Sequence, residues 1–212
     1  MKYTQELDLG FLPEQKIINI LPKDGCAEYY GVIVSEQECQ YFYNCFLNEI
    51  EWVRDRAIIF GKLIETKRKV AWYGQSDLGN PFNYTYSNTT KTSLPWTKPL
   101  LAIKDIIEQA TNETYNACLL NLYHSGEEGM TWHSDGERDL KERGAIASLS
   151  LGVQRKFCFK HKKTKEVVNI ELSPGSLLVM KDNTQENWLH RLPPTKKIKD
   201  IRINLTFRTI DI

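Results

Sequence analysis

"IRINLTFR", residues 201–208, alternates without a break: Ile201, Ile203, Leu205 and Phe207 fall on one side of an extended chain, and Arg202, Asn204, Thr206 and Arg208 on the other. Read as a strand, it has an apolar face and a face with two guanidinium groups. Such a face either meets water, as one side of an antiparallel sheet commonly does, or lines a site that uses arginine. "NLY" repeats the device, with Asn121 and Tyr123 opposite Leu120 and Leu122. Several polar faces of this kind are able to line one cavity. In it a guanidinium fork would capture a carboxylate in bidentate fashion, while Asn and Tyr add neutral hydrogen bonds at low desolvation cost.

Outward from these strands, the chain beyond Cys118 is a series of short runs rich in β-branched and aromatic residues, separated by turn formers: "CLLNLY", "AIASLSL", "KFCFK", "EVVNIEL" and "SLLVM". That pattern predicts a β sandwich or barrel. Two helices are expected to brace it from outside. Ser35 and Glu38 form a capping box ahead of Cys39, Phe42, Phe46 and Ile50 at helical spacing, so residues 35–50 read as an amphipathic helix. Pro99 opens the second, with Leu100, Ile103, Ile106, Ile107 and Ala110 as its apolar stripe. Between the helices, "AIIFGKLIE" reads as a hairpin about Gly61. The following "KVAWYGQSDLGNPFNYTYSN" joins turn formers to many aromatics, which points to a binding surface more than to a core.

Hydrophobic residues at 41% and charged residues at 26% describe a globular chain with enough apolar side chains for a substantial core. At 212 residues a single domain is expected. Its parts are N-terminal helical support over 1–56, a segment over 57–90 that carries the hairpin and the aromatics, and a β core over 115–210. The first residues lack the apolar stretch of a signal peptide, and no run is long enough to cross a bilayer, so an intracellular protein with no membrane partner is expected. Nothing in the sequence demands more than a monomer. Five scattered cysteines without a C-x-x-C pair indicate reduced, mostly buried thiols. A net charge of +1 gives no global attraction to nucleic acid, and the basic clusters "TKRK" and "KHKKTK" read equally as solvated hairpin tips or phosphate contacts.

The chain has four histidines, and "TWHSDGERDL", residues 131–140, places His133 two residues before Asp135. In extended chain the two point to one side. With His190 of "NWLHRLPP" they would make a two-histidine, one-carboxylate facial triad suited to Fe(II) with open coordination positions. A bare H-x-D often does no more than satisfy a turn. Followed by a distant histidine and then by an arginine-bearing strand, it is a far more specific pattern. A zinc hydrolase using His124, His133 and His190 is a rival reading, but it leaves Arg202 and Arg208 without a task.

"NLYHSGEEGMTWHSDGE", "IASLSLG", "GSLLVM", "WLHRLPP" and "RINLTFR" together resemble the AlkB family of Fe(II)- and 2-oxoglutarate-dependent nucleic-acid dealkylases, from about Ala57 to Ile210. The resemblance implies a double-stranded β-helix, a jelly-roll barrel with flanking helices. It makes His133, Asp135 and His190 the iron ligands and Arg202 the partner of the distal carboxylate of 2-oxoglutarate. Asn121, Tyr123, Asn204, Thr206 and Arg208 fall on positions that line the cosubstrate pocket. The implied activity is oxidation of an N-alkyl carbon by dioxygen, with release of formaldehyde and restoration of the base, the cofactor supplying the oxidation and the protein the positioning. A 2-oxoglutarate-dependent oxygenase acting on a protein or small molecule is the alternative. The implied compartment is the cytoplasm, or the nucleus in a eukaryote.

On the substrate side, a base in a duplex must be extruded and read in a pocket. By the same resemblance, alkylated nucleic acid is the partner, DNA before RNA, with 1-methyladenine and 3-methylcytosine as substrates. Trp72, Tyr73 and Tyr86 would stack on or edge the base; packing beneath a long loop is the other reading of each. Glu137 matches an acidic base-contacting position, with a supporting role for the iron site as its alternative. Gly136 departs from duplex-acting members that carry an acid directly after the metal aspartate. Phe60 of "IFGK" resembles a finger tip that fills the gap left by a flipped base, unless it is a core phenylalanine.

Overall fold

The computed structural model describes residues 16–59, 62–76, 78–86, 89–136 and 139–211, with backbone alone at 56–59, 62–64, 84–86 and 89–91. Strands and helices are numbered in chain order. The strand that opens the sequence reading, β14 (Arg202–Arg208), is buried at every residue, so its polar face does not meet water. It lies inside an eight-stranded sheet in the order β1 (Ile18–Asn19), β2 (Cys26–Val32), β12 (Ser176–Lys181), β9 (Ile146–Gly152), β14, β7 (Ala117–Tyr123), β4 (Lys62–Gly74) and β3 (Val53–Ile59). A second sheet runs β11 (Val167–Leu172), β10 (Arg155–His161), β13 (Trp188–Leu192), β8 (Met130–His133), and β5 (Asn83–Tyr86) pairs with β6 (Thr89–Thr92). All these ladders are antiparallel.

Period-two alternation builds three layers from these strands. Ile203, Leu205 and Phe207 join Leu120, Leu122, Leu149, Leu151, Leu177 and Val179 on one face of the large sheet, where they pack on helices α1 (Glu36–Glu49) and α2 (Lys98–Thr111). The other face looks toward the small sheet. There Ile146, Leu178 and Met180 meet Phe159, Leu172 and Trp188 across the two sheets. The polar side chains of β14 and β7 occupy the remainder of that space. The strand pattern predicts a sandwich or barrel, and the arrangement is the jelly roll with flanking helices that the family resemblance implies.

Both helices start where the capping residues place them. Ser35 Oγ accepts from Glu38 N at 3.3 Å, and Glu38 Oε2 accepts from Ser35 N at 3.0 Å, closing the capping box of α1. In α2 the buried stripe is Leu100, Ile103, Ile107 and Thr111. Ala110 is exposed and Ile106 half-buried, so the expected stripe is shifted at its end. Thr111 takes the inner position because its hydroxyl donates to the Ile107 carbonyl at 2.8 Å, which removes the cost of burying it. A one-turn helix, α3 (Thr184–Asn187), has no periodicity to announce it.

Three expectations about the N-terminal half are corrected. Residues before 57 contribute β1 and β2 as well as a helix, since β2 pairs with β12. The stretch beginning "KVAWYG", read as a turn-rich binding surface, opens inside a strand: β4 extends to Gly74 and pairs with β7, in the body of the large sheet. In "TKRK" the middle residue Arg68 is buried rather than solvated. "KHKKTK" does turn at the tip of the β10–β11 hairpin, although its His161 is buried under the ring of Trp188, 4.9 Å between centroids. All five cysteines are free, with Cys39, Cys118 and Cys158 buried. Among the described residues no helix is long and apolar enough to cross a membrane.

Candidate active site

The cavity between the sheets is lined by Asn121 and Tyr123 from β7, by Arg202, Asn204, Thr206 and Arg208 from β14, and at one end by His133, Asp135 and His190. The three last are brought together by one ladder. His190 on β13 is the direct cross-strand partner of His133 on β8, their ring centroids 4.2 Å apart, and Asp135 follows just after β8. Their candidate ligand atoms all lie within 4.8 Å of one another. Asp135 Oδ1 stands 3.6 Å from His133 Nε2 and 3.7 Å from His190 Nε2, too long for hydrogen bonds and suited to three atoms arranged about one ion. His124 is not part of the group; it pairs with Glu128 at 3.1 Å, so the three-histidine zinc reading has no geometry behind it.

The protonation states favour metal binding. His133 Nδ1 lies 2.8 Å from the Thr131 carbonyl, which only accepts, so Nδ1 carries the proton and the Nε2 lone pair is free. Burial pushes His190 down to about 3 and keeps it neutral. Burial works against the Asp135 carboxylate, but the charge and hydrogen bond of Arg208 hold its pKa below the usual range. Arg208 Nη2 donates to Asp135 Oδ2 at 3.0 Å, which leaves Oδ1 facing the histidines. Two neutral imidazoles and one carboxylate on one side of an ion form the donor set that suits Fe(II).

The other end of the cavity is short of negative charge. Arg202 is 2% exposed, and its Nη2 donates to Ser150 Oγ at 2.9 Å. Its Nε has no partner, and among the described residues no acid is paired with it. Burial pushes its pKa down to about 10, with Tyr123 opposing the shift and Arg155 adding to it. A buried cation without an anion is costly. A dicarboxylate reaching from the iron site to Arg202 would supply the missing charge, so the residues fit 2-oxoglutarate as well as Fe(II).

The curated and structural relatives agree with this reading. The model of the 2OG-Fe(II) oxygenase superfamily matches residues 26–208. The chain is 35% identical over 201 residues to the mouse protein named DNA oxidative demethylase ALKBH2, covering 90% of this chain and 82% of that one. The human protein of that name matches at 35% over 192 residues, 85% of this chain and 72% of the other. Human alpha-ketoglutarate-dependent dioxygenase alkB homolog 3 matches at 34% over 191 residues, covering 85% and 65%. This chain is a 2OG-Fe(II) oxygenase of the AlkB family. The solved structure of OsALKBH1, 13% identical, superimposes with a TM-score of 0.64 over 92% of this chain and 100% of that one, which shows the shared fold.

As an AlkB oxygenase the protein uses Fe(II), 2-oxoglutarate and dioxygen, and its cavity residues divide into contacts and braces. Asn204 is a brace: its Nδ2 donates to Ser148 Oγ at 2.8 Å and to the Leu149 carbonyl at 3.0 Å, and its Oδ1 accepts from Thr206 at 3.1 Å. Two arginines were not expected here: Arg155 drew no reading from the sequence, and Arg68 reads there only as part of a basic cluster. Arg155, 1% exposed, donates to the carbonyls of Ser125, Gly126, Glu128 and Pro193 at 2.9–3.3 Å, pinning the loop after β7 to the turn after β13. Its place on the inward side of β10, in step with Phe157 and Phe159, was the available signal. Arg68 lines the cavity itself.

The substrate contacts fare differently. Tyr73 is 2% exposed within the core beneath the helices, and Trp72, on the opposite face of β4, packs edge-on against Phe82 at 6.4 Å. Neither ring is open to stack on a base, because strand alternation sends one into each layer. Phe60 and Glu137 lie outside the described residues, as does the side chain of Tyr86. Gly136 is open: a Cβ there would meet nothing within 4 Å, so neither packing nor backbone forbids a side chain after the metal aspartate.

Proposed function

We propose that this oxygenase demethylates N-alkylated bases in DNA, with 1-methyladenine and 3-methylcytosine as substrates. The observation that carries the reading is the pairing, in one cavity, of the His133–Asp135–His190 cluster with an Arg202 that lacks an acid. Similarity to proteins named DNA oxidative demethylase supports DNA before RNA.

When bound, iron with 2-oxoglutarate and dioxygen supplies oxidation of the N-alkyl carbon, whose hydroxymethyl product leaves as formaldehyde. The chain's part is to hold and to exclude. His133, Asp135 and His190 would hold the metal from one side, Arg208 fixes the aspartate, and Arg202 would take the distal carboxylate. Leu119, Met130, Phe157, Met180 and Leu192 keep the remaining wall apolar. That wall limits water near the reacting atoms.

The test is a mass-spectrometric assay on single- and double-stranded DNA oligonucleotides, and matching RNA, carrying 1-methyladenine or 3-methylcytosine. Loss of one methyl mass that depends on 2-oxoglutarate and is absent from His133→Ala is expected. Methylated bases left intact while 2-oxoglutarate becomes succinate would overturn the substrate.

A further inference from the structure

The buried pair formed by Arg68 and Asp55 has no place in the chemistry above, although Arg68 lines the cavity. The two residues are 7% and 3% exposed. They come from the paired strands β4 and β3, at a point where the register breaks: Arg54 pairs with Lys69 and Arg56 with Glu65, leaving three residues of β4 opposite Asp55 alone. Arg68 shares the cavity-side face of β4 with Val70 and Trp72, and the bulge brings Asp55 of β3 beside it.

One arm of the guanidinium bonds to Asp55. The other, Nη1, donates to Asn121 Oδ1 at 2.9 Å and lies 3.3 Å from Met130 Sδ. A guanidinium has donors only, so the oxygen of the Asn121 carboxamide must face Arg68 and its NH₂ must face the other way. That group has no protein partner among the described residues, and Asn121 lines the cavity. The amide is thus set to donate into the space between the iron ligands and Arg202. A buried ion pair is weak support for stability, since apolar replacements often serve as well. Setting the direction of an amide is something apolar side chains do not do.

We infer that Asp55 and Arg68 are positioning residues for the cosubstrate: Asp55 fixes Arg68, and Arg68 locks the Asn121 carboxamide in the orientation that donates to bound 2-oxoglutarate. This rests on the assignment of the cavity to 2-oxoglutarate. The pair does not touch the iron ligands, so its removal leaves metal binding in place. Because Asp55 lies on β3, the same contact ties the β3–β4 hairpin to the cosubstrate wall.

The test uses the Zn(II)-loaded protein, which binds without turnover, and titrates 2-oxoglutarate by calorimetry into wild type, Asp55→Asn, Arg68→Met, Asn121→Ala and the Arg68→Met/Asn121→Ala double variant. Loss of one charge-assisted hydrogen bond is expected to weaken binding about tenfold in Arg68→Met and in Asn121→Ala. Asp55→Asn, which keeps the shape and supplies the second variant should Arg68→Met fold poorly, is expected to weaken it several-fold. The double variant is expected to be no weaker than Asn121→Ala, since both changes remove one contact. In the ¹⁵N spectrum the Asn121 side-chain amide should shift on saturation with 2-oxoglutarate in wild type and by a smaller amount in Asp55→Asn. Additive losses in the double variant, or unchanged affinity in Asp55→Asn with only a lower Tm, would overturn the positioning role. If wild type itself takes no 2-oxoglutarate, the cosubstrate reading falls and this one with it.

Discussion

The two faces of β14 make different demands on the same seven residues. Toward the helices, Ile203, Leu205 and Phe207 meet aliphatic and aromatic neighbours, Phe207 stacked on Trp96 at 6.2 Å. Toward the small sheet, Arg202, Asn204, Thr206 and Arg208 meet hydroxyls, carbonyls and one carboxylate. The first face stabilises the fold by burial, at about 25 cal/mol per Å² of apolar surface. The second keeps a buried positive charge without an anion, which burial alone disfavours. Stability and function are therefore divided across the thickness of one strand, and the division can be tested one side chain at a time.

The largest effect is expected at the far end of the cavity face. His133→Ala should abolish turnover, a loss well beyond the roughly 10- to 100-fold that follows removal of a group supporting a metal ligand. Metal content after dialysis should fall with it, while far-UV circular dichroism stays unchanged. Next, Arg202→Gln is expected to weaken 2-oxoglutarate binding about 100- to 1,000-fold, the cost of losing a buried charge partner. The same variant should raise or preserve the Tm of the ligand-free protein, since it removes an uncompensated charge; a fall of several degrees would mean that Arg202 is structural.

On the helix face the order should reverse. Phe207→Ala is expected to cost about 3–5 kcal/mol of stability in urea unfolding, with the dissociation constant for 2-oxoglutarate unchanged wherever the variant is folded. A change in that constant as large as for Arg202→Gln would break the division. The smallest effect concerns pH. His190 has a folded pKa of about 3 against an ordinary 6.5, so between those values the unfolded chain binds more protons and the metal-free protein loses stability as pH falls from about 6.5. The depressed pKa of Asp135 acts in the same direction at lower pH. A urea midpoint that falls between pH 7.5 and 5.5, with a shallower slope in His190→Gln, is the expected outcome.

The features legible in the sequence share one property: they depend on a period or a spacing that survives folding. Alternation in β14 and β7 placed the cavity wall, the capping box placed α1, and the order of His133, Asp135, His190 and Arg202 picked out four residues that the structure brings into one cavity. Features without such a period were missed or misplaced. Trp72 and Tyr73 were read as a binding surface because Gly, Asn and Ser follow them, whereas pairing of β4 with β7 decides their burial. Arg68 shares its face of β4 with Val70 and Trp72, but its basic neighbours Lys67 and Lys69 mask that alternation in the sequence. Asn204 lines the cavity, as its place on the polar face of β14 leads one to expect, yet no spacing reveals that its amide is spent on Ser148 and Leu149.

The free cysteines have a consequence for durability. An enzyme that handles dioxygen at iron exposes its own sulfur to stray oxidant, and thiolates are attacked long before thiols. Burial pushes the thiol of Cys118 well above its ordinary pKa and that of Cys39 up to about 11, so both stay protonated. Cys118 points into the helix-side core although its strand also carries Asn121 and Tyr123. Strand alternation thus shields the Cys118 thiol from the chemistry on the other face of its own strand.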